Sequence, residues 1–167
     1  MLVTLLTGSN AIERETILRR TAEVLAERVR QIVARSRIYT SSAWGFTSAE
    51  PFANQALQIK TSLSPIEVLD AVLEVEQAIG RDRAQEEAMK RASGERYASR
   101  VVDVDVMFCD DEIICEPRLR VPHPLLHERE FALEPLCEIM PCYRHPVLGR
   151  SLQDIYEELK KKNENKI

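Results

Sequence analysis

The hydrophobic positions fall into alternating helical and extended stretches. Residues 2–7, LVTLLT, form a continuous apolar run closed by Gly8, the pattern of a buried central strand. Over residues 12–34, Leu18, Ala22, Leu25, Val29 and Ile32 recur at steps of 4, 3, 4 and 3, which predicts one long helix with its charges on the opposite face. Residues 36–46 and 52–61 read as extended segments able to pair as a hairpin through a turn near Ser48–Pro51. A second helix is marked at both ends: Ser64, Pro65 and Glu67 make a capping start, and Gly80 ends a stripe of Leu69, Val72, Leu73 and Ile79. The charged stretch 81–99 has no apolar face and reads as a solvated loop.

Period-two alternation returns in RVVDVDVMF over 100–108, followed by a short strand at 112–115 hairpinned through Asp110–Asp111. A third helix is expected over 128–138, after the turn at Pro122–His123–Pro124. The tail 151–167 should hold one helical stretch before a frayed KKKNENKI end. The order β-α-β-β-α-β predicts an α+β ferredoxin-like sandwich, a mainly antiparallel sheet with helices on one face. The core should lie within about 2–140, with a C-terminal extension over about 141–167, in one catalytic domain of residues 1–167.

Composition narrows the function classes. The chain has 167 residues and a net charge of −4, with 5% aromatics. That balance disfavours nucleic acid as a partner. No 18-residue apolar run is present, so no membrane span is expected, and the start lacks a signal-peptide pattern. The expected location is the cytoplasm, as a monomer or weak homodimer. Cys109, Cys115, Cys137 and Cys142 lack metal-site spacing and read as buried or semi-buried free thiols.

The chemistry concentrates in few places. Asp103 and Asp105 stand at i and i+2 on a predicted strand, so both carboxylates leave one face. Adjacent acids repel unless a cation lies between them, which suits Mg²⁺ shared with phosphate oxygens; a solvated strand face is the plainer alternative. Arg81, Arg83, Arg91, Arg96 and Arg100 precede the pair, and Arg118, Arg120 and Arg129 follow it. Guanidinium forks bind phosphate, although Glu86, Glu87, Glu95 and Glu128 could equally pair them. Glu76 occupies an apolar-stripe position, as a site acid or as half of a structural ion pair. Asn54 shares a strand face with Phe52, and with Phe131 they suit a flat heterocycle or an ordinary core. GxxxxGK[ST] and GxGxxG are both absent.

As an ordered set these segments resemble the 6-hydroxymethyl-7,8-dihydropterin pyrophosphokinase (HPPK) family. The likeness is carried by Gly8–Ser9–Asn10, YTSSAWG from Tyr39 to Gly45, Asn54, and Glu76–x4–Arg81–x–Arg83. It continues with Arg96–Tyr97–x2–Arg100–x2–Asp103–x–Asp105, Arg118–Leu119–x2–Pro122–His123 and Arg129–x–Phe131. The resemblance implies transfer of pyrophosphate from ATP to the pterin hydroxymethyl group, giving AMP, in folate biosynthesis. It implies two Mg²⁺ ions on Asp103 and Asp105. It assigns ATP to Glu76, Arg81, Arg96, Arg100, Val106, Arg118, Arg120, His123 and Arg129, with Arg81, Arg83, Arg96 and Arg100 aiding catalysis. It assigns the pterin to Ser41, Ser42, Trp44, Phe52, Asn54, Asp103 and Phe131. Tyr97 stands where the family commonly has Trp, Phe52 where it has Tyr, and Ser42 and Ala43 where prolines are common. The stretch from Arg83 to Arg96 is longer than in short-loop members. Two other readings are a ligand-binding regulatory module and a different Mg-dependent phosphotransferase.

Overall fold

The computed structural model describes residues 1–42, 50–94 and 101–165. Its elements run β1 (Leu2–Ser9), α1 (Arg14–Arg28), β2 (Gln31–Arg35), β3 (Tyr39–Ser41), β4 (Phe52–Lys60), α2 (Pro65–Ile79), α3 (Arg83–Ser93), β5 (Asp103–Cys109), β6 (Ile114–Cys115), β7 (Arg120–Val121), a 3₁₀ turn (Leu126–Glu128), α4 (Glu130–Ile139) and α5 (Leu152–Glu164). The main sheet has the order β2-β4-β1-β5, with every pairing antiparallel and β3 on the same edge of β4 as β2. This is the ferredoxin-like arrangement: two βαβ crossovers interleave, and β1 ends at the centre. The apolar run of β1 is buried almost throughout, as a central strand requires.

The sheet separates two cores. On one face Val3, Leu5, Leu57, Ile59, Val104 and Val106 pack under Ala22 and Leu25 of α1 and Val68, Val72 and Val75 of α2. On the other, Leu6, Ala56, Met107 and Phe108 pack against Leu133 and Leu136 of α4 and Leu152 and Ile155 of α5. The two helices of the ferredoxin-like core thus share one face, and the C-terminal elements cover part of the other.

Helix α2 matches its sequence signals: Ser64 and Glu67 form a reciprocal capping box, and Gly80 closes it at φ 112°. Four segments differ from expectation. The first helix stops at Arg28, because Arg30 takes φ 128° and 31–35 forms the edge strand β2. Ile32 belongs to that strand's alternation and matched the helical count only by coincidence. The stretch 81–99 contains α3, capped by Asp82 and ended by Gly94 at φ 71°. None of its residues is buried, so a search for an apolar face misses it. The strand near 112–115 pairs with β7 rather than β5. The tail helix also runs further than expected, through Lys160–Lys162 to Glu164. The hairpin is formed by β3 on β4, with Ser41 opposite Phe52, while residues 48 and 49 of its expected turn lie outside the described residues. All four cysteines are free thiols, but only Cys109 is buried and Cys137 half-buried, whereas Cys115 and Cys142 are exposed, contrary to the burial expected of them.

Candidate active site

The site is organised by one row of residues across the sheet. Gly8 on β1 pairs with Asn54 on β4 on one side and with Asp103 on β5 on the other. Residues directly opposed across antiparallel strands point to the same face. Asn54 and Asp103 therefore stand on one face, two strand spacings or roughly 10 Å apart, with a glycine between them. The next row on that face is Asp105, Leu6 and Ala56. Gly8 leaves a trough in the sheet surface. A Cβ there would lie 3.1 Å from Asn54 Oδ1. Asn54 is buried, and its Nδ2 donates to Ser41 Oγ at 2.9 Å, so its amide orientation is held.

Asp103 and Asp105 open onto a cavity of about 440 Å³. Glu76, Arg81, Arg83, Val106, Arg118, Arg120 and His123 line the same cavity. Arg81 is its electrostatic hub. Nη1 donates to Glu76 Oε1 and Asp103 Oδ1, both at 2.7 Å. Nε and Nη2 donate to Glu86 at 3.0 and 3.2 Å, a bidentate fork. The Arg81 side chain is only 4% exposed. Burial opposes its charge, but the Glu86 hydrogen bond and the carboxylates of Asp103 and Glu76 outweigh it and hold the guanidinium above its usual range.

Glu76, fully buried, also accepts from Arg83 Nη2 and from the Val104 backbone N–H at 2.9 Å. The acid in the apolar stripe is thus partnered on three sides and ties the end of α2 to the start of β5. Arg118 pairs with Asp70 of α2 on the surface. Arg129, largely buried, brings Nη1 within 3.5 Å of both Asp105 Oδ2 and His123 Nε2, and its guanidinium sits 5.7 Å from the Phe131 ring centre. Burial, then the Arg129 charge, push the His123 imidazole down to about 4. His123 is therefore neutral at pH 7.

Ser41, Ser42 and Phe131 line a second, wider cavity of about 970 Å³ between the end of β3, α4 and α5. Phe52 is half-buried opposite Ser41. The structure thus gathers Glu76, Arg81, Arg83, Asp103, Asp105, Val106, Arg118, Arg120 and His123 around one cavity. Arg129 bridges toward Phe131, Ser41 and Ser42 beside it. Trp44, Arg96, Tyr97 and Arg100 lie outside the described residues. Three α3 residues also line the cavity: Glu86 and Glu87, which the sequence offered as arginine partners and which pair with Arg81 and Arg91, and Lys90, which sequence reading missed. Asp82 as an N-cap and Gly94 twelve residues later were the signals that would have placed them on a helix.

Residues 4–141 match the family model described as 7,8-dihydro-6-hydroxymethylpterin-pyrophosphokinase (HPPK). The chain belongs to the HPPK family. It is 36% identical over 151 residues to the 2-amino-4-hydroxy-6-hydroxymethyldihydropteridine pyrophosphokinase of Aquifex aeolicus, covering 90% of this chain and 88% of that one. It is 36% identical over 133 residues to the enzyme of the same name from Bacillus subtilis, covering 79% and 74%. Among solved structures it superposes on an HPPK-DHPS in complex with substrates, with a TM-score of 0.76 at 14% identity. That match covers 99% of this chain and 45% of the other, so the chain spans under half of that longer protein. The likeness confirms the HPPK fold. Helix α5 lies beyond the matched family segment.

Proposed function

We propose that this chain transfers the pyrophosphoryl group of ATP to the hydroxymethyl group of 6-hydroxymethyl-7,8-dihydropterin, releasing AMP, in folate biosynthesis. Family membership supports the activity, and the Asn54–Gly8–Asp103 row is the observation that carries it in this molecule. It sets an amide for reading a heterocycle edge and a carboxylate for phosphate chemistry on one trough, roughly 10 Å apart.

The residues fit Mg²⁺. Two same-face carboxylates, each about 30% exposed, open onto a cavity lined by five cationic side chains. Mg²⁺ is commonly held by one or two carboxylates, with phosphate oxygens and water completing its shell. Among the described residues no group of three or more His, Cys, Asp or Glu offers a complete protein cage, which suits a site finished by a triphosphate. Asp103 and Asp105 would hold the ions, which when bound neutralise phosphate charge and fix the triphosphate for in-line attack.

The protein's own groups do the rest. Arg81 fixes the Asp103 carboxylate from its buried side and so sets its direction into the cavity. Arg118, Arg120 and Arg83 border the space where phosphate charge shifts toward the departing AMP. Arg129 orients Asp105, and His123 supplies a neutral hydrogen-bonding wall beside it. Val106 contributes buried apolar surface. Arg96 and Arg100 join this set through the family resemblance. On the acceptor side, Asn54 held by Ser41 reads the pterin's amide edge, Ser42 and Trp44 border it by resemblance, and Phe131 and Phe52 stack on its faces.

The test is a reaction containing ATP, Mg²⁺ and hydroxymethyl-dihydropterin. AMP should form in equal amount to pterin diphosphate. ADP as product, or no AMP, would refute the proposal. Phe131→Ala should weaken pterin binding by about 1–3 kcal/mol and leave ATP binding nearly unchanged.

A further inference from the structure

Helix α3 is solvated on nearly every side, yet it points two residues inward. Of its eleven residues, Glu86 and Lys90 are half-buried and the others exposed. They stand four apart, one turn along a single face, and both line the 440 Å³ cavity.

The two have different circumstances. Both Glu86 oxygens are taken by the Arg81 fork. Lys90, its i+4 neighbour, forms no ion pair with it and none with any other described carboxylate. The remaining cavity cations are mostly committed. Arg81 is shared by Glu76, Glu86 and Asp103, Arg83 is held by Glu76, and Arg118 by Asp70. Among the described residues, Lys90 and Arg120 are the cavity cations without a carboxylate partner. A half-buried lysine with no carboxylate partner among the described residues, on a cavity that also holds the paired aspartates, is placed for an anionic ligand.

We propose that Lys90 is a further polyphosphate-binding residue, contacting ATP from the α3 side of the cavity. The proposal rests on the pyrophosphokinase reading for the identity of the anion. Arg81 is sealed by carboxylates on both edges, so the charge it would otherwise offer falls to more accessible groups. Lys90 is a flexible point charge on a cavity that Arg118 and Arg120 also line, which suits a triphosphate that must be gripped and released.

The experiment is calorimetric titration of the full chain with α,β-methylene-ATP and Mg²⁺, an analogue whose α–β linkage resists transfer. Wild type is compared with Lys90→Met, Lys90→Arg and Arg91→Met. Arg91 is 82% exposed, does not line the cavity, pairs with Glu87, and carries the same charge on the same helix. Lys90→Met should weaken analogue binding about three- to tenfold, the scale of one partly solvated charge-assisted contact. Lys90→Arg should restore most of it. Arg91→Met should change it less than twofold, on the small effect expected of an exposed pair. Affinity for hydroxymethyl-dihydropterin should be unchanged throughout. Because α3 buries no side chain, all variants should melt with wild type. Wild-type affinity in Lys90→Met, or an equal loss in Arg91→Met, would overturn the assignment. If wild type makes no AMP, the pyrophosphokinase reading fails, and the analogue titration still decides Lys90 by itself.

Discussion

Glu76→Leu removes the acid that joins α2 to β5, and its cost can be built contact by contact. Glu76 accepts from three donors at 1% side-chain exposure. The Val104 N–H, buried at the start of β5, would lose its partner, which costs about 1–3 kcal/mol. Arg81 would keep Glu86 and Asp103, so its loss is only a part of the roughly 3–5 kcal/mol seen when a buried ion is orphaned. Arg83 is 54% exposed, and its pair contributes under about 1 kcal/mol after solvent screening. The new leucine offsets some of this by adding apolar contact beside Val72 and Val75. The net expectation is about 3 kcal/mol, or a melting temperature lower by roughly 6–12 °C for a chain of this length. Glu76→Gln keeps an oxygen for Val104 and should cost about half as much. Thermal melts followed by circular dichroism, without ligand, measure both. A Leu variant melting within about 2 °C of wild type would refute the network's role, since that is less than 1 kcal/mol. A Gln variant as unstable as Leu would refute the place given to Val104.

Three further outcomes follow from the same geometry. His123 has a folded value near 4 against 6.5 unfolded, so the native state binds its proton less readily. Its contribution should be full above pH 6.5 and disappear as pH falls through about 4, at most about 3 kcal/mol, and the wild-type loss of stability over that window should shrink in His123→Asn. Gly8→Ala places a Cβ 3.1 Å from Asn54 Oδ1, so it should cost under about 2 kcal/mol of stability but weaken pterin binding at least tenfold; equal pterin affinity would show that Asn54 moves freely. Asp105→Asn keeps an oxygen toward Arg129, 3.5 Å away, and removes the repulsion between adjacent carboxylates, so it should change stability by less than about 1 kcal/mol, while AMP formation falls by several orders of magnitude; a near-normal rate would remove Asp105 from the mechanism.

The sequence carried the sheet and the paired acids well, for physical reasons. Buried strands and capped helices leave local signatures: the apolar β1, the Ser64–Glu67 box, the alternation of Val102, Val104 and Val106 against the aspartates. The missing parts were those without such a signature. Strand β2 lies at the sheet edge, and its Ile32 happened to extend a helical count. Helix α3 buries no side chain, so its only marks are caps and charges four apart. Strand β6 pairs with the two-residue β7 rather than the seven-residue β5, and a two-residue strand carries too little pattern to mark its partner. At the site, Asp103, Asp105 and Glu76 stood out because each broke a hydrophobic pattern. Glu86 and Lys90 broke none, since they sit in a segment that is polar throughout.

The same topology explains why this stretch can be long without disturbing the sheet. The chain leaves α2 at Gly80 and must return to β5 at the sheet edge beside β1. The ends of that crossover are pinned by Arg81, which holds Glu76 from α2 and Asp103 from β5 at 2.7 Å each. Anything inserted between them leaves both anchors in place, because the pinning residues flank the insertion instead of lying within it. Helix α3 borders the cavity that Glu76, Arg81 and Asp103 also line, and its first turn supplies Glu86 to close the Arg81 fork. The buried guanidinium therefore serves two ends at once. It aims the carboxylate required for phosphate chemistry, and it fastens the wall that faces it.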